Sequence, residues 1–471
     1  MGLCYPVPVM EFDTHAVDPS EQRATIVIAI VASFLTPFMG SAINIALPSI
    51  GAEFHMDAIT LSWVATIYLL TASVLLIPFG KWADMHGRKA VFLTGTFVYS
   101  LASLGISLVF STWLLIVLRG LQGVGAAMIF ATGMAILTSV TPPSRRGRIL
   151  GVNVAAVYLG LSLGPSLGGV LTQQLGWRSL FLLNVLMGTV IIVLVLTRVR
   201  GDKPEVKHGS FDWLGSVLYC SSFVALLHGV SCLPSRYALF ETAVGALLFG
   251  VFLRFEAQSA NPIVELSLFK NNTVYAFSNL AALINYAATA AVAFLLSLYL
   301  QDVLGMSPQN AGILLVVQPA VMALLSPIAG ALSDRMEPGR VASLGMALIA
   351  IALASFTVAG NDTSIRFVIV DLLLLGAGFA LFSSPNTNAV MSSVERRSYG
   401  IASATLGTMR LTGQMLSMAI VMLIFALKME SGPPPAQQTE AFLVSMRIGF
   451  AVFSVLCVGG IFASLARGRL R

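Results

Sequence analysis

The chain alternates long apolar runs with short polar connections. A helix needs roughly 20 mostly apolar residues to cross the hydrocarbon core of a bilayer. A window of that size predicts helices over 24–47, 61–80, 90–109, 113–138, 149–172, 179–198, 212–231, 238–256, 273–300, 311–333, 341–359, 366–390, 401–427 and 442–466. Fourteen spans put both chain ends on one side. If that side is cytoplasmic, twenty Lys and Arg fall in inner segments and four (Arg178, Arg236, Arg366, Lys428) in outer ones, leaving Arg119, Arg410 and Arg447 inside the membrane. Inner loops carry such an excess, so the split supports the count and the orientation together. The expectation is a multi-pass protein of the cytoplasmic (inner) cell membrane with both termini cytoplasmic.

Composition narrows the class further. The chain is 57% apolar and 10% charged with a mean hydropathy of +0.87, against about 45–50% and 25% in soluble domains. No polar stretch is long enough for a soluble enzyme domain. The net charge of +6 would suggest nucleic acid in a soluble chain; here the bases sit in short loops and read as topology signals, so no nucleic-acid partner is expected. Arg23 follows Glu11, Asp13, Asp18 and Glu21, which gives no basic region for a cleavable signal peptide, and Pro6 breaks the myristoylation pattern after Met1-Gly2. Cys4, Cys220, Cys232 and Cys457 lack metal-ligand spacing, and the five histidines do not cluster. Neither a metal nor an organic cofactor is expected.

Internal repetition sets the architecture. Gly80-Lys81-Trp82-Ala83-Asp84 runs on to Gly87-Arg88-Lys89, and Gly330-Ala331-Leu332-Ser333-Asp334-Arg335 runs on to Gly339-Arg340. The aspartates lie 250 apart, and Arg145-Arg146-Gly147 is echoed by Arg396-Arg397-Ser398 at 251. Two independent pairs at one offset predict an all-α fold in which spans one to six repeat as nine to fourteen. The division is a cytoplasmic N-terminus over 1–23, a six-helix bundle over 24–198, a linker with two extra helices over 199–272, a second bundle over 273–466 and a tail over 467–471.

These motifs resemble the major facilitator superfamily, and within it the fourteen-span drug:proton antiporter branch. Gly80 to Lys89 is similar to the signature loop after the second helix. Its glycines let helix ends approach closely, and an aspartate beside helix N-termini and arginines can form a charge-assisted latch between the halves. The resemblance assigns Gly80, Asp84, Gly87 and Arg88, with Asp334, Arg335 and Arg340 in the repeat, to a conformational switch. Arg119 to Ala127 resembles R-x-x-Q-G-x-G-a-a, which implies proton coupling for Arg119 in the central cavity. Gly160, Gly164, Pro165, Gly168 and Gly169 match the antiporter signature G-x-x-x-G-P-x-x-G-G. The same stretch fits a G-x-S-x-G nucleophile elbow, but that motif needs a strand–turn–helix.

One departure matters. The branch reads L-D-x-T-I-V-N-V-A-L-P in its first span, and this chain reads Phe38-Met39-Gly40-Ser41-Ala42-Ile43-Asn44-Ile45-Ala46-Leu47-Pro48, so Met39 replaces the membrane aspartate. Asp371 then stands as the acid clearly inside a core span and the candidate proton carrier. Cavity candidates are Asn44, Tyr68, Gln122, Asn153, Tyr158, Asn285, Tyr286, Gln318, Asn386, Asn388, Arg410 and Gln414, polar contacts in an apolar hollow. The resemblance implies a monomeric secondary transporter that exports small amphipathic compounds against protons, with the proton gradient as its energy source. A transporter of the same fold for one metabolite, with or without proton coupling, stays open beside it.

Overall fold

The computed structural model describes residues 19–56, 58–199, 210–231, 236–259, 261–428 and 435–468. Fourteen helices among them are long and apolar enough to cross a membrane. They are α1 (Pro19–Phe54), α2 (Ala58–His86), α3 (Arg88–Ser107), α4 (Thr112–Ser139), α5 (Arg146–Leu175), α6 (Arg178–Arg198), α7 (Trp213–Ser231) and α8 (Arg236–Glu256). After a short helix at Leu266–Asn271 come α9 (Thr273–Val303), α10 (Gln309–Arg335), α11 (Pro338–Phe356), α12 (Ile365–Ser392), α13 (Tyr399–Lys428) and α14 (Pro435–Ala466).

The predicted spans all appear, and most are longer than a hydropathy window reads. The first was expected to stop before Pro48, yet α1 continues through Pro37 and Pro48 to Phe54. A membrane helix tolerates the lost amide when its neighbours support it. Two spans are broken instead. α9 is interrupted after Thr289 and ends in a π turn at Tyr299–Val303. α10 is interrupted at Val316, three residues before Pro319, whose ring removes the bond to the Leu315 carbonyl.

Packing follows the sequence repeat. In the first half α1 lies on α5, α2 and α3 lie on α4, and α3 lies on α6. Eight helices on, α9 lies on α13, α10 and α11 lie on α12, and α11 lies on α14. The halves meet where α5 packs on α10 and α13 packs on α2, a pair of contacts that exchange under the same shift. α7 and α8 form a hairpin seated on α2 and α13. One face of α3 shows how small polar residues are used: it buries Thr96, Ser100, Ser103 and Ser107 while exposing Phe97, Leu101 and Leu104. This inverted amphipathicity suits a solvent of lipid tails, where helices associate through close packing of small residues rather than through apolar burial.

Both signature aspartates lie on the face where α1 begins and α14 ends, here the terminal face. The opposite face is tied by Arg178, which pairs with Glu53 at 2.7 Å and donates to the Val109 carbonyl at 2.9 Å. There too Arg447 donates to the Ala359 carbonyl at 2.9 Å.

Candidate functional site

At the terminal face the bundles are held by two reciprocal clamps. The buried Asp84 accepts the backbone N–H of Gly400 at 2.9 Å and of Ile401 at 3.0 Å. Asp334 accepts the N–H of Gly147 at 2.7 Å and of Arg148 at 2.9 Å. Gly400 and Ile401 open α13 just as Gly147 and Arg148 open α5. Each aspartate therefore caps, in the other bundle, a helix end whose first amides have no partner inside their own helix. The surrounding charges are not symmetric. Arg88 gives two hydrogen bonds to Asp84 Oδ1, at 2.9 and 2.7 Å, and another to the Arg396 carbonyl across the interface. Arg335 and Arg340 are exposed. Gly87 makes the single-residue turn between α2 and α3 at φ 98, a conformation that favours glycine.

Close backbone approach completes the clamps. A Cβ on Gly80 would lie 2.8 Å from the Gly400 carbonyl oxygen, and one on Gly147 would lie 2.3 Å from that of Gly330. Tyr399 sits between two cations of the first bundle, 5.5 Å from the Arg88 guanidinium and 5.7 Å from that of Arg146.

The α5 glycines act within one bundle. Cβ atoms on Gly160, Gly164 and Gly168 would fall 2.5 Å from the Phe34 carbonyl oxygen, 2.6 Å from Ser41 Cβ and 2.7 Å from Ala42 Cβ, all on α1. Gly169 has ordinary space and Pro165 is exposed. Gly164→Leu is expected to lower thermal stability by about 1–3 kcal/mol or more through overpacking and to abolish transport. Ser166→Leu, on the exposed face, leaves both unchanged. Melting and uptake of the two variants side by side check this.

Between the bundles lies a cavity walled by α1, α4 and α5 on one side and α9, α12 and α13 on the other. Five sequence candidates line it: Asn153, Tyr158, Tyr286, Asn386 and Arg410. Sequence reading missed Ser33, Phe130, Ser383, Thr387 and Ser403. A signal was present, since Ser383, Asn386 and Thr387 share one helical face at i, i+3 and i+4.

The other candidates lie outside this wall, for identifiable reasons. Arg119 does not reach the cavity. It is fully buried within the first bundle, donating to the Val64 carbonyl at 2.8 Å and to Gln122 Oε1 at 2.5 Å, with the Tyr68 ring 4.5 Å away. A guanidinium at membrane depth needs such partners, and it takes Tyr68 and Gln122 out of the cavity. Asn388 donates to Ser333 Oγ at 2.9 Å on the way to the Asp334 clamp. Asn285 is buried, Gln318 and Gln414 are half-buried, and Asn44 is exposed. Asp371 accepts a 2.5 Å hydrogen bond from Ser355 on α11; it is in the second bundle, and the structure does not bring it to Arg119.

The sequence model of the Major Facilitator Superfamily matches residues 29–418, and the chain belongs to that family. It is 27% identical over 436 residues to the riboflavin transporter RibZ of Clostridioides difficile, covering 93% of this chain and 95% of that one. To the multidrug resistance protein Stp of Mycobacterium tuberculosis it is 30% identical over 410 residues, covering 84% and 75%. The crystal structure of the human organic anion transporter MFSD10 has a TM-score of 0.68 at 15% identity, over 95% of this chain and 100% of that one, and it shares the fold. The protein is a multi-pass membrane transporter of the major facilitator fold, and not an enzyme.

Proposed function

We propose that this transporter exports small amphipathic compounds by alternating access, with the terminal face in the cytoplasm and inward proton movement as the drive. The observation that carries the reading is the cavity of mixed aromatic and polar walls between two bundles pinned together at the terminal face by paired aspartate clamps. Opening those clamps exposes the cavity to the terminal side. The excess of Lys and Arg in the segments on that face supports the orientation. The multidrug resistance relative supports export, and the α5 glycine ridge matches the antiporter signature. Asp371 is the proton carrier of this reading, with one carboxylate giving one proton per cycle.

A second reading, a transporter of one metabolite without proton coupling, is favoured by Met39 and by a cavity wall that contains no carboxylate. The riboflavin transporter among the relatives supports it. Protein reconstituted in vesicles separates the two. With a pH gradient and a potential imposed independently, proton-driven export of a neutral amphipathic dye should fall at least tenfold in Asp371→Asn. Flux that survives the substitution undiminished removes Asp371 as the carrier, and flux indifferent to the pH gradient selects the second reading.

A further inference from the structure

The charge of the cavity narrows the substrate class, given the transporter reading. Of the twenty residues that line it, one is charged, and that one is Arg410. Among the described residues its guanidinium makes no ion pair and no hydrogen bond; its contact is the ring of Phe130, 5.1 Å from the guanidinium carbon. Arginine stays protonated in any protein environment, so the cavity holds a permanent positive charge that no carboxylate in its wall balances.

A second cation stands behind the closed side. Arg467 is buried and donates to Asn386 Oδ1 at 3.1 Å, and Asn386 lines the cavity. Its other hydrogen bonds go to serine oxygens, to Ser278 Oγ at 3.3 Å and the Ser464 carbonyl at 2.7 Å among them. Low-dielectric walls focus the field of such charges into the space between them. An organic cation entering here meets repulsion, whereas a carboxylate or sulfonate finds a free fork-shaped donor set suited to two parallel hydrogen bonds. We infer that the cavity selects amphipathic organic monoanions, with Arg410 as the group that binds the anionic end and the rings of Phe130, Tyr158, Tyr286 and Phe382 covering the apolar body.

An inside-negative potential drives a monoanion outward by about 50-fold in concentration per 100 mV, so its export has a driving force even without a proton.

The test uses the full chain and two xanthene dyes of one skeleton, a carboxylate-bearing fluorescein monoanion and a cationic rhodamine ester, with a neutral ester as control. Binding is read by anisotropy on purified protein and export in vesicles. Wild type should bind the anion at least tenfold more tightly than the cation. Arg410→Gln, with folding checked by its melting midpoint, should lose that preference, Arg410→Lys should restore part of it, and Arg410→Glu should invert it. A wild type that prefers the cation, that does not bind the anion, or whose anion binding is unchanged in Arg410→Gln overturns the inference. Charge-selective binding without movement of any dye would instead sustain this inference and refute the export reading.

Discussion

Gly330→Leu is expected to abolish transport, by 100-fold or more, with little loss of folded stability. A Cβ at this position would sit 2.1 Å from the Gly147 carbonyl oxygen and 2.7 Å from Ser384 Oγ. Backbone cannot yield as a flexible side chain does, so the overlap costs more than the usual 1–3 kcal/mol of overpacking. A shift of about 5.5 kcal/mol takes a state from 99:1 to 1:99, and a backbone clash of this depth is of that order. The clash with Gly147 lies between bundles, so separating them on the terminal side relieves it; the contact with Ser384 is internal to the second bundle and is relieved only by rotation of that hydroxyl. Gly164 is the contrast, because its clash with α1 is internal to one bundle and no rigid-body movement removes it. Spin labels at Ser144 and Met336, both exposed on the terminal face, should report a longer distance in Gly330→Leu than in wild type, with an unchanged melting midpoint. A wild-type distance together with wild-type flux would show that this glycine pair does not limit closure.

What could be read from sequence divides by the range of the interaction. The fourteen spans, the two-bundle division and the common face of Asp84 and Asp334 follow from hydropathy, loop charge and an offset between short motifs, all local in the chain. The partners of those aspartates do not. Gly400 and Ile401 lie more than 300 residues from Asp84, and nothing near either site marks them as amides left free at a helix start. Depth in the membrane was legible and azimuth was not. Counting from a helix end places Arg119 and Asp371 inside the bilayer, but only neighbouring helices decide whether a side chain turns to the cavity or to its own bundle. Tyr68 and Gln122, cavity candidates as polar contacts in an apolar hollow, are taken up instead by the buried Arg119. The α5 glycines were legible because a repeat of four along a helix specifies a face, and that face meets α1.

Asp84→Asn is expected to reduce transport by about 5- to 30-fold, and the reasoning turns on which contacts change between states. The Arg88–Asp84 pair joins α3 to α2 within one bundle, so parting the bundles does not by itself separate its members. Its loss leaves a buried guanidinium without its counter-charge, a cost of about 3–5 kcal/mol when one partner of a buried pair is removed. That cost falls mainly on stability and should appear as a lower melting midpoint. The bonds to Gly400 and Ile401 cross the interface, so parting the bundles on the terminal side must break them. A negative charge at a helix N-terminus contributes about 0.3–1 kcal/mol when exposed and up to about 2 kcal/mol when partly buried. Replacing the carboxylate by an amide removes that charge and turns one oxygen into a donor facing another N–H, so a loss of 1–2 kcal/mol from closure, a factor of about 5–30, is the expected scale. Asp334→Asn should weaken closure less, since Asp334 is only half-buried and Arg335 and Arg340 beside it are exposed. The two clamps serve one opening equilibrium, so the double variant should show the product of the two factors in its Ser144–Met336 distance distribution. Wild-type flux and distances in correctly inserted Asp84→Asn protein would mean that the capping bonds hold the bundles together no more tightly than the apolar contacts around them.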